Sequence, residues 1–292
     1  MLEHGREEPG KPERVVILGR RGFVAGAIGA RLERDSIDTL ALGSRELDLI
    51  DAAAEVALAD RLKESDALVV VSAIAPCKDV PAFMSNLAMV RSVCAALQRV
   101  RPAHLVYISS DAVYADGVNP VNERSCAEPS SLHGMMHAAR ELMLKTAAPG
   151  RLCILRPSLL YGAADPHNGY GPNRFRRLAA EGKDIVLFGE GEERRDHVLI
   201  DDLAEIVRLS LIRRSSGVLN VATGHSASFR EVAERVAALF DPPVAVKGSR
   251  RRNPITHRHF DPSACYKAFP RFHYTPLADG LAKAHHDMMK GG

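Results

Sequence analysis

Tryptophan is absent from this chain, and aromatic residues make up only 5% of it. It therefore offers no row of aromatic faces on which single-stranded nucleic acid could stack. Charge of neither sign dominates: 39 lysines and arginines face 36 acids, for a net charge of +3. That balance is too mild for the electrostatic footprint of a nucleic-acid partner. Cysteine is sparse, and Cys77, Cys94, Cys126, Cys153 and Cys265 form no C-x-x-C pair. The spacing excludes a disulfide framework or a zinc site and fits reduced thiols in a cytoplasmic compartment. No apolar run approaches a membrane span, so no membrane partner is expected. The opening MLEHGREEPGKPER lacks the apolar core of a signal peptide and reads as a flexible tail over residues 1–13. Internal repeats and low-complexity segments are also missing.

Apolar residues fill 46% of 292 positions, enough to bury a core for one large or two modest domains. The most informative stretch is Arg14 to Leu32, RVVILGRRGFVAGAIGARL. Val15 to Leu18 is an unbroken apolar run, suited to a strand buried on both faces of a parallel sheet. Gly19-Arg-Arg-Gly22-Phe23-Val24-Ala25 follows at once, and Gly26, Ile28 and Leu32 continue with helical spacing. A strand, a glycine turn and a helix start, in that order, suit a dinucleotide: the glycines let the backbone approach a pyrophosphate, and the helix N-terminus offers it free N–H groups. Ala25 replaces the third glycine and still permits close helix–strand packing.

Thr39 to Leu42 reads as the next strand. It ends in Gly43-Ser44-Arg45, without the acid that grips a ribose 2′-hydroxyl in NAD sites. Arg21 and Arg45 with Ser44 suit a 2′-phosphate, which favours NADP over NAD; the alternative is that both arginines are solvated surface charge. Glu46 to Leu49 reads as a brief strand, Asp51 to Lys63 as a helix, Ala67 to Ser72 as a buried strand, and Val80 to Val100 as a long helix containing Asn86. Leu105 to Ile108 and Leu152 to Leu155 are further strands, separated by a helix over Ser131 to Ala147. This alternation predicts an α/β fold, a Rossmann-type doubly wound parallel sheet over residues 14–160, with ligands beyond the C-terminal strand ends. Residues 161–292 read as a small C-terminal substrate lobe interwoven with the last elements of the sheet. Within it Tyr161 to Pro172 is a loop, Asp201 to Arg213 a helix N-capped by Asp201, Gly217 to Val221 a strand, and Ser228 to Phe240 and Pro276 to Met289 are helices. The basic segment Lys247 to His259 is open to two readings, a solvated surface or a phosphate contact.

GRRGFVA, ELDL, the helix around Asn86, YISSDAVY, RPSLLYG, GEGEERRDHVLIDD and LNVATG together resemble the extended short-chain dehydrogenase/reductases, the NAD-dependent epimerase/dehydratase family that acts on nucleotide sugars. The arginine in GRRG and the segment GSRELDL are most similar to its GDP-fucose synthase and dTDP-4-dehydrorhamnose reductase branch. The resemblance implies that Gly19, Gly22 and Ala25 hold a pyrophosphate, with Phe23 and Val24 beside it. Arg21 and Arg45 then bind the 2′-phosphate, Asp48 and Leu49 border the adenine, and Ala73 lies along the cofactor. Ser110 is the catalytic hydroxyl. Asn86, Arg195 and Arg252 face the substrate, the two arginines at its diphosphate. A homodimer fits the same resemblance.

One departure concerns the chemistry itself. The family carries Tyr-x-x-x-Lys on the helix after YISSDAVY, where this chain has Ser131-Leu-His133-Gly-Met-Met-His137. Three readings are open. His133 is a working acid/base, its reference pKa of about 6.5 suited to neutral pH. Alternatively the chain binds NADP without redox chemistry and regulates or scaffolds a partner. Or His133 and His137, one turn apart, bind a metal, although no third ligand is spaced for it. Gly134 is expected to leave space beside His133. The leading expectation is an NADP-dependent oxidoreductase or epimerase of a nucleotide-activated sugar, NAD being the second cofactor choice. Ser110, His133 and His137 are its catalytic residues, and no resident metal is expected.

Overall fold

The computed structural model describes residues 2–20, 22–117, 119–251 and 254–290. Its chain runs β1 (Glu3–His4), β2 (Arg14–Leu18), α1 (Phe23–Arg34), β3 (Asp38–Leu42), α2 (Ala54–Ala59), β4 (Ala67–Val70), α3 (Val80–Arg99), β5 (His104–Ile108), α4 (Leu132–Ala147), β6 (Leu152–Pro157) and β7 (Leu159–Tyr161). It continues through α5 (Pro172–Ala180), β8 (Ile185–Phe188), β9 (Arg194–Leu199), α6 (Ile200–Ile212), β10 (Ser215–Val221), β11 (Ser226–Ser228), α7 (Phe229–Ala237), β12 (Val246–Ser249), α8 (Ser263–Ala268) and α9 (Leu277–Lys290). The main sheet has the order β1-β10-β6-β5-β4-β2-β3 and is parallel except for β1. It is a Rossmann-type doubly wound sheet. Smaller sheets, β11-β9-β7 and β12-β8, are built from later segments.

The apolar run of β2 explains the layering. Successive strand side chains point to opposite faces. Val15 and Ile17 meet Ile28 and Leu32 of α1 and Leu203 and Val207 of α6 in one core. Val16 and Leu18 share the other core with Leu58 of α2, Val90, Val93 and Leu97 of α3, and Leu144 of α4. A third core joins Tyr161, Phe175, Ile185, Leu187, Phe229 and Val232 beneath the smaller sheets. After β3 the chain returns to the far side of β2, so the ends of β2 and β4 flank the switch point where open α/β sheets bind ligands.

Several expectations are corrected here. The described part of the expected tail, residues 2–13, is docked on the fold and not flexible. Within the described part Glu3 and His4 pair antiparallel with β10, the His4 ring bonds Ser215 Oγ at 2.8 Å and the Ala268 carbonyl at 2.9 Å, and Gly10 N–H donates to the Ile212 carbonyl. Glu46 to Leu49 is a turn, its amides at Glu46 and Leu47 donating to the Gly43 carbonyl; the alternation arises because Leu47 and Leu49 both drop into the core. The helix expected from Asp51 shrinks to α2. Asp201 is not the cap of α6. Leu199 takes that position, and Asp201 and Asp202 lie in the first turn, where carboxylates suit the helix dipole. Asp202 accepts from the Thr275 amide and hydroxyl at 2.9 and 2.8 Å, tying α6 to the approach to α9. By length and composition α3 does reach the range of a membrane span, with mean hydropathy 1.4, contrary to expectation. Here it is a layer of the fold, with Val90, Val93, Ala96 and Leu97 in the core.

Two buried histidines make this fold sensitive to acid. His104 bonds the Ser215 carbonyl through Nε2 at 2.7 Å, neither ring nitrogen of His197 has a hydrogen-bond partner among the described residues, and burial pushes both imidazoles down to about 4. In the unfolded chain they titrate near 6.5, so between pH 6.5 and 4 the unfolded state binds more protons and stability falls with pH. Each histidine is expected to cost on the order of 3 kcal/mol by pH 4. The urea midpoint should drop from pH 7 to pH 5, and drop less in His197→Phe, whose ring replaces the imidazole beside Phe229. Equal drops in the two proteins would remove His197 from this account.

Candidate active site

The C-terminal ends of β2, β4, β5 and β6 open into a cavity of about 700 Å³, lined at these ends by Phe23, Val24, Val71, Ala73, Ser109, Ser110, Asp111 and residues Pro157 to Leu160. The 165–173 segment closes its far side. In the turn before Phe23, Gly19 has φ +116, a conformation disfavoured for other residues, and a Cβ there would sit 3.1 Å from the Ser72 nitrogen. Gly22 caps α1 without a side-chain hydrogen bond, which leaves the first-turn amides open to an anion. These residues fit a dinucleotide pyrophosphate.

Gly19 and Arg20 both donate to the Leu42 carbonyl, which places the glycine turn beside the end of β3. Arg45 is exposed there, and among the described residues it has no bonding partner. Glu46, given no role at the site above, folds back: its carboxylate accepts from Gly43 N–H and from Arg20, each at 3.0 Å, and these contacts, the Gly43 amide foremost, hold its pKa below the ordinary value. Asp48 caps the Ile50 amide at 3.1 Å, and the Leu49 side chain is in the core, so Leu49 can border a cofactor only through its backbone. Neither these residues nor Arg45 line the cavity, whereas Phe23, Val24 and Ala73 do. Arg21 and Arg252 lie outside the described residues.

Helix α4 delivers the histidines. Ser131 Oγ accepts from Gly134 N–H at 3.2 Å and caps the helix. Gly134 leaves no space beside His133, contrary to expectation: a Cβ there would come within 2.0 Å of the Ala112 carbonyl oxygen. Its missing side chain instead lets α4 lie against the turn after Ser110. His133, His137 and Ser110 meet on the cavity wall. The imidazoles stand edge to face, with centroids 4.9 Å apart. His133 Nδ1 accepts from Cys77 N–H at 3.4 Å, and His137 Nδ1 lies 2.7 Å from the Tyr107 hydroxyl. Burial lowers the pKa of His133; burial and the positive neighbours His133 and Arg140 carry His137 well below its ordinary value. Burial raises the Asp111 carboxyl, against the pull of Arg258 and Arg195. Among the described residues no cluster of three His, Cys, Asp or Glu side chains could hold a metal ion.

A buried polar frame stands behind this wall. Arg140 donates to the Ser72 carbonyl at 2.7 Å and to Asn86 Oδ1 at 3.3 Å, and Asn86 in turn bonds both backbone polar groups of Ile74 at 3.0 Å. Asn86 is fully buried. It shapes the loop after β4 and has no surface to offer a substrate, which corrects its expected role. Glu141 accepts from Ser109 Oγ at 2.6 Å and from Arg156 through both oxygens at 2.8 and 2.6 Å; Arg156 also donates to Tyr114, and Tyr114 to Asn220. Tyr114 is therefore structural. Tyr161 is buried away from the cavity.

Arg195 does not line the main cavity. It pairs with Glu193 and Thr256 and borders a smaller cavity of about 170 Å³ that shares Asp111 and Leu159 with the main one. Arg258 borders the same space and anchors the 111–116 turn through the Asp111 carbonyl and the Asp116 carboxylate at 2.7 and 2.8 Å. Lys78 and Tyr170 line the main cavity unannounced by any motif, because each sits in a loop whose path only the fold determines.

The chain belongs to the NAD-dependent epimerase/dehydratase family, whose pattern it matches over residues 15–222. It is 31% identical over 148 residues to a dTDP-L-rhamnose 4-epimerase of Burkholderia thailandensis, a match covering 48% of this chain and 41% of that one. Its fold is similar to a GDP-L-fucose synthetase from Naegleria fowleri bound to NADP, with TM-score 0.85, 16% identity and coverage of 100% of this chain and 98% of that one. It is also similar to a UDP-N-acetylglucosamine 4-epimerase from Methanobrevibacter ruminantium M1 in complex with UDP-N-acetylmuramic acid, with TM-score 0.83, 22% identity and coverage of 97% and 100%.

Neutralising one half of the buried Glu141–Arg156 pair is expected to be severe. Glu141→Gln leaves a guanidinium uncompensated in the interior and should cost about 3–5 kcal/mol, whereas replacing both partners by apolar residues of similar size should recover much of that loss. Chemical denaturation of the single and double variants checks this. Additive losses would mean that the two side chains act independently.

Proposed function

We propose that this protein is an NADP-binding oxidoreductase or epimerase of a nucleotide-activated sugar, with its reacting centre at Ser110, His133 and His137. The observation that carries this reading is a single cavity that begins at an uncapped, glycine-led helix and ends at a hydroxyl and two imidazoles. Gly19, Gly22 and the amides of Phe23 and Val24 hold the pyrophosphate, and Ala73 leaves room along the dinucleotide. Arg45 takes the 2′-phosphate. Glu46 does not compete for ribose hydroxyls, since the Gly43 amide and Arg20 already occupy its carboxylate. When bound, the nicotinamide supplies or accepts the hydride. Ser110 polarises the reacting oxygen, His133 flanks it, and His137 faces the nicotinamide ribose. Arg195 and Arg258, at the adjoining cavity, receive the substrate diphosphate. Exposed apolar side chains on α3, Val80 and Met84, and on α4, Met135 and Leu142, support a homodimer, which sedimentation velocity would detect as twice the chain mass.

One observation favours the catalytically silent alternative: both histidines are pushed toward the neutral state, so neither copies the charge of the family's lysine. Turnover separates the two. NADPH oxidation with a panel of keto-sugar nucleotides should exceed background, and its absence throughout the panel would favour the silent reading. By calorimetry NADPH is expected to bind about tenfold more tightly than NADH, with the difference lost in Arg45→Ala. Arg195→Ala should weaken the sugar nucleotide alone. Equal affinities for the two cofactors would overturn the 2′-phosphate assignment.

A further inference from the structure

Both cavity histidines have their hydrogen-bond partner at Nδ1. The donor to His133 is the backbone N–H of Cys77, a group that cannot accept. The partner of His137 is the Tyr107 phenol at 2.7 Å. A phenol can do either, but Tyr107 is fully buried and its hydroxyl has no second partner among the described residues. If the imidazole donated, the phenol proton would be left in the core without an acceptor, an arrangement folded proteins avoid. Tyr107 therefore donates and His137 accepts. A neutral imidazole carries one proton, and with Nδ1 accepting, that proton resides on Nε2.

The surroundings keep both rings neutral. Burial disfavours charge on both rings, and at His137 the Arg140 guanidinium, 5.2 Å from the centre of the Tyr107 ring, opposes it further. Glu141, the nearest anion along α4, is already matched by Arg156. Asp111 faces the cavity from the end of β5, with Ser110 directed at it and Arg258 behind it.

We infer that the Tyr107 hydroxyl and the Cys77 amide lock His137 and His133 as Nε2–H tautomers, so that the two imidazoles present uncharged N–H donors to the cavity and neither offers it a free ring lone pair, an arrangement suited to a carbonyl oxygen. Removing a proton from a sugar hydroxyl needs a free ring lone pair. Here that would require moving the proton to Nδ1 and breaking the bond to Cys77 or Tyr107. A carbonyl oxygen accepts such donors directly, and preorganised neutral donors stabilise charge that develops on it. The inference deepens the proposed function by naming the substrate class, a keto sugar nucleotide, and rests on that reading only for the sugar and its cofactor. The tautomers belong to the chain alone. Tyr107 is a positioning residue, since it acts through His137.

Long-range proton–nitrogen NMR correlations on ¹⁵N-histidine protein at pH 7 test this directly, with His133→Gln and His137→Gln used for assignment. Both rings should show unprotonated Nδ1 and protonated Nε2, and Tyr107→Phe should alter the His137 pattern while leaving His133 unchanged. A protonated Nδ1 in either ring of the wild type, or a His137 pattern indifferent to Tyr107→Phe, would overturn the inference. In the NADPH-loaded protein a 4-keto sugar nucleotide should bind at least about tenfold more tightly than its 4-hydroxy counterpart, a difference reduced in Tyr107→Phe, which leaves the His133 donor in place; equal affinities in the wild type would overturn the carbonyl assignment. Nε2–H tautomers in a protein that fails to bind NADPH would overturn the cofactor reading while upholding the locked donors.

Discussion

The ion pair between Glu141 and Arg156 is the contact on which the site's geometry depends. Its side chains are only 3% and 6% exposed, so two charges have been taken out of water. Such a pair is tolerable because each partner makes a further hydrogen bond, Ser109 to the acid and the base to Tyr114. It fastens α4 to β6 and, through Ser109, to the end of β5. His133, His137 and Glu141 follow one another at intervals of four along α4, on one stripe of the helix. Fixing the rotation of the helix at Glu141 therefore fixes where both imidazoles arrive.

A second frame fixes the opposite lip. Asn86 and Arg140, from α3 and α4, bond the loop after β4 at Ile74 and Ser72. That loop carries Ala73 and Lys78 to the cavity and the Cys77 amide to His133. The two frames share α4, so the histidine wall and the loop facing it are registered by the same helix. The polar interior thus specifies placement, and the apolar cores supply the bulk of the driving force.

The inner strands β2, β4, β5 and β6 were legible because each contains an apolar run with no polar face to confuse it, and the glycine turn because its place between a strand and a helix constrains its meaning, whereas β7, β8, β9 and β12 went unread. Glu46 to Leu49 misled because a tight turn with two inward leucines has the same alternation as a strand. Asn86 misled for another reason. Its partner Arg140 lies 54 residues away, and nothing local distinguishes an amide that serves the frame from one that serves a ligand. The tautomers of His133 and His137 were equally hidden, since they depend on a strand tyrosine and a loop amide brought together only by the fold. The N-terminal segment escaped notice because a two-residue strand has no periodicity to read.

That short strand has a consequence for how the molecule behaves among its neighbours. β10 would otherwise form an open margin of the main sheet, presenting unpaired amides and carbonyls to any extended chain nearby. β1 occupies that margin in the antiparallel sense, and the His4 ring clips it to Ser215 and to the end of α8. A few polar residues at the start of the chain thus act as a selvedge, finishing a border along which sheets of separate molecules could otherwise be stitched together.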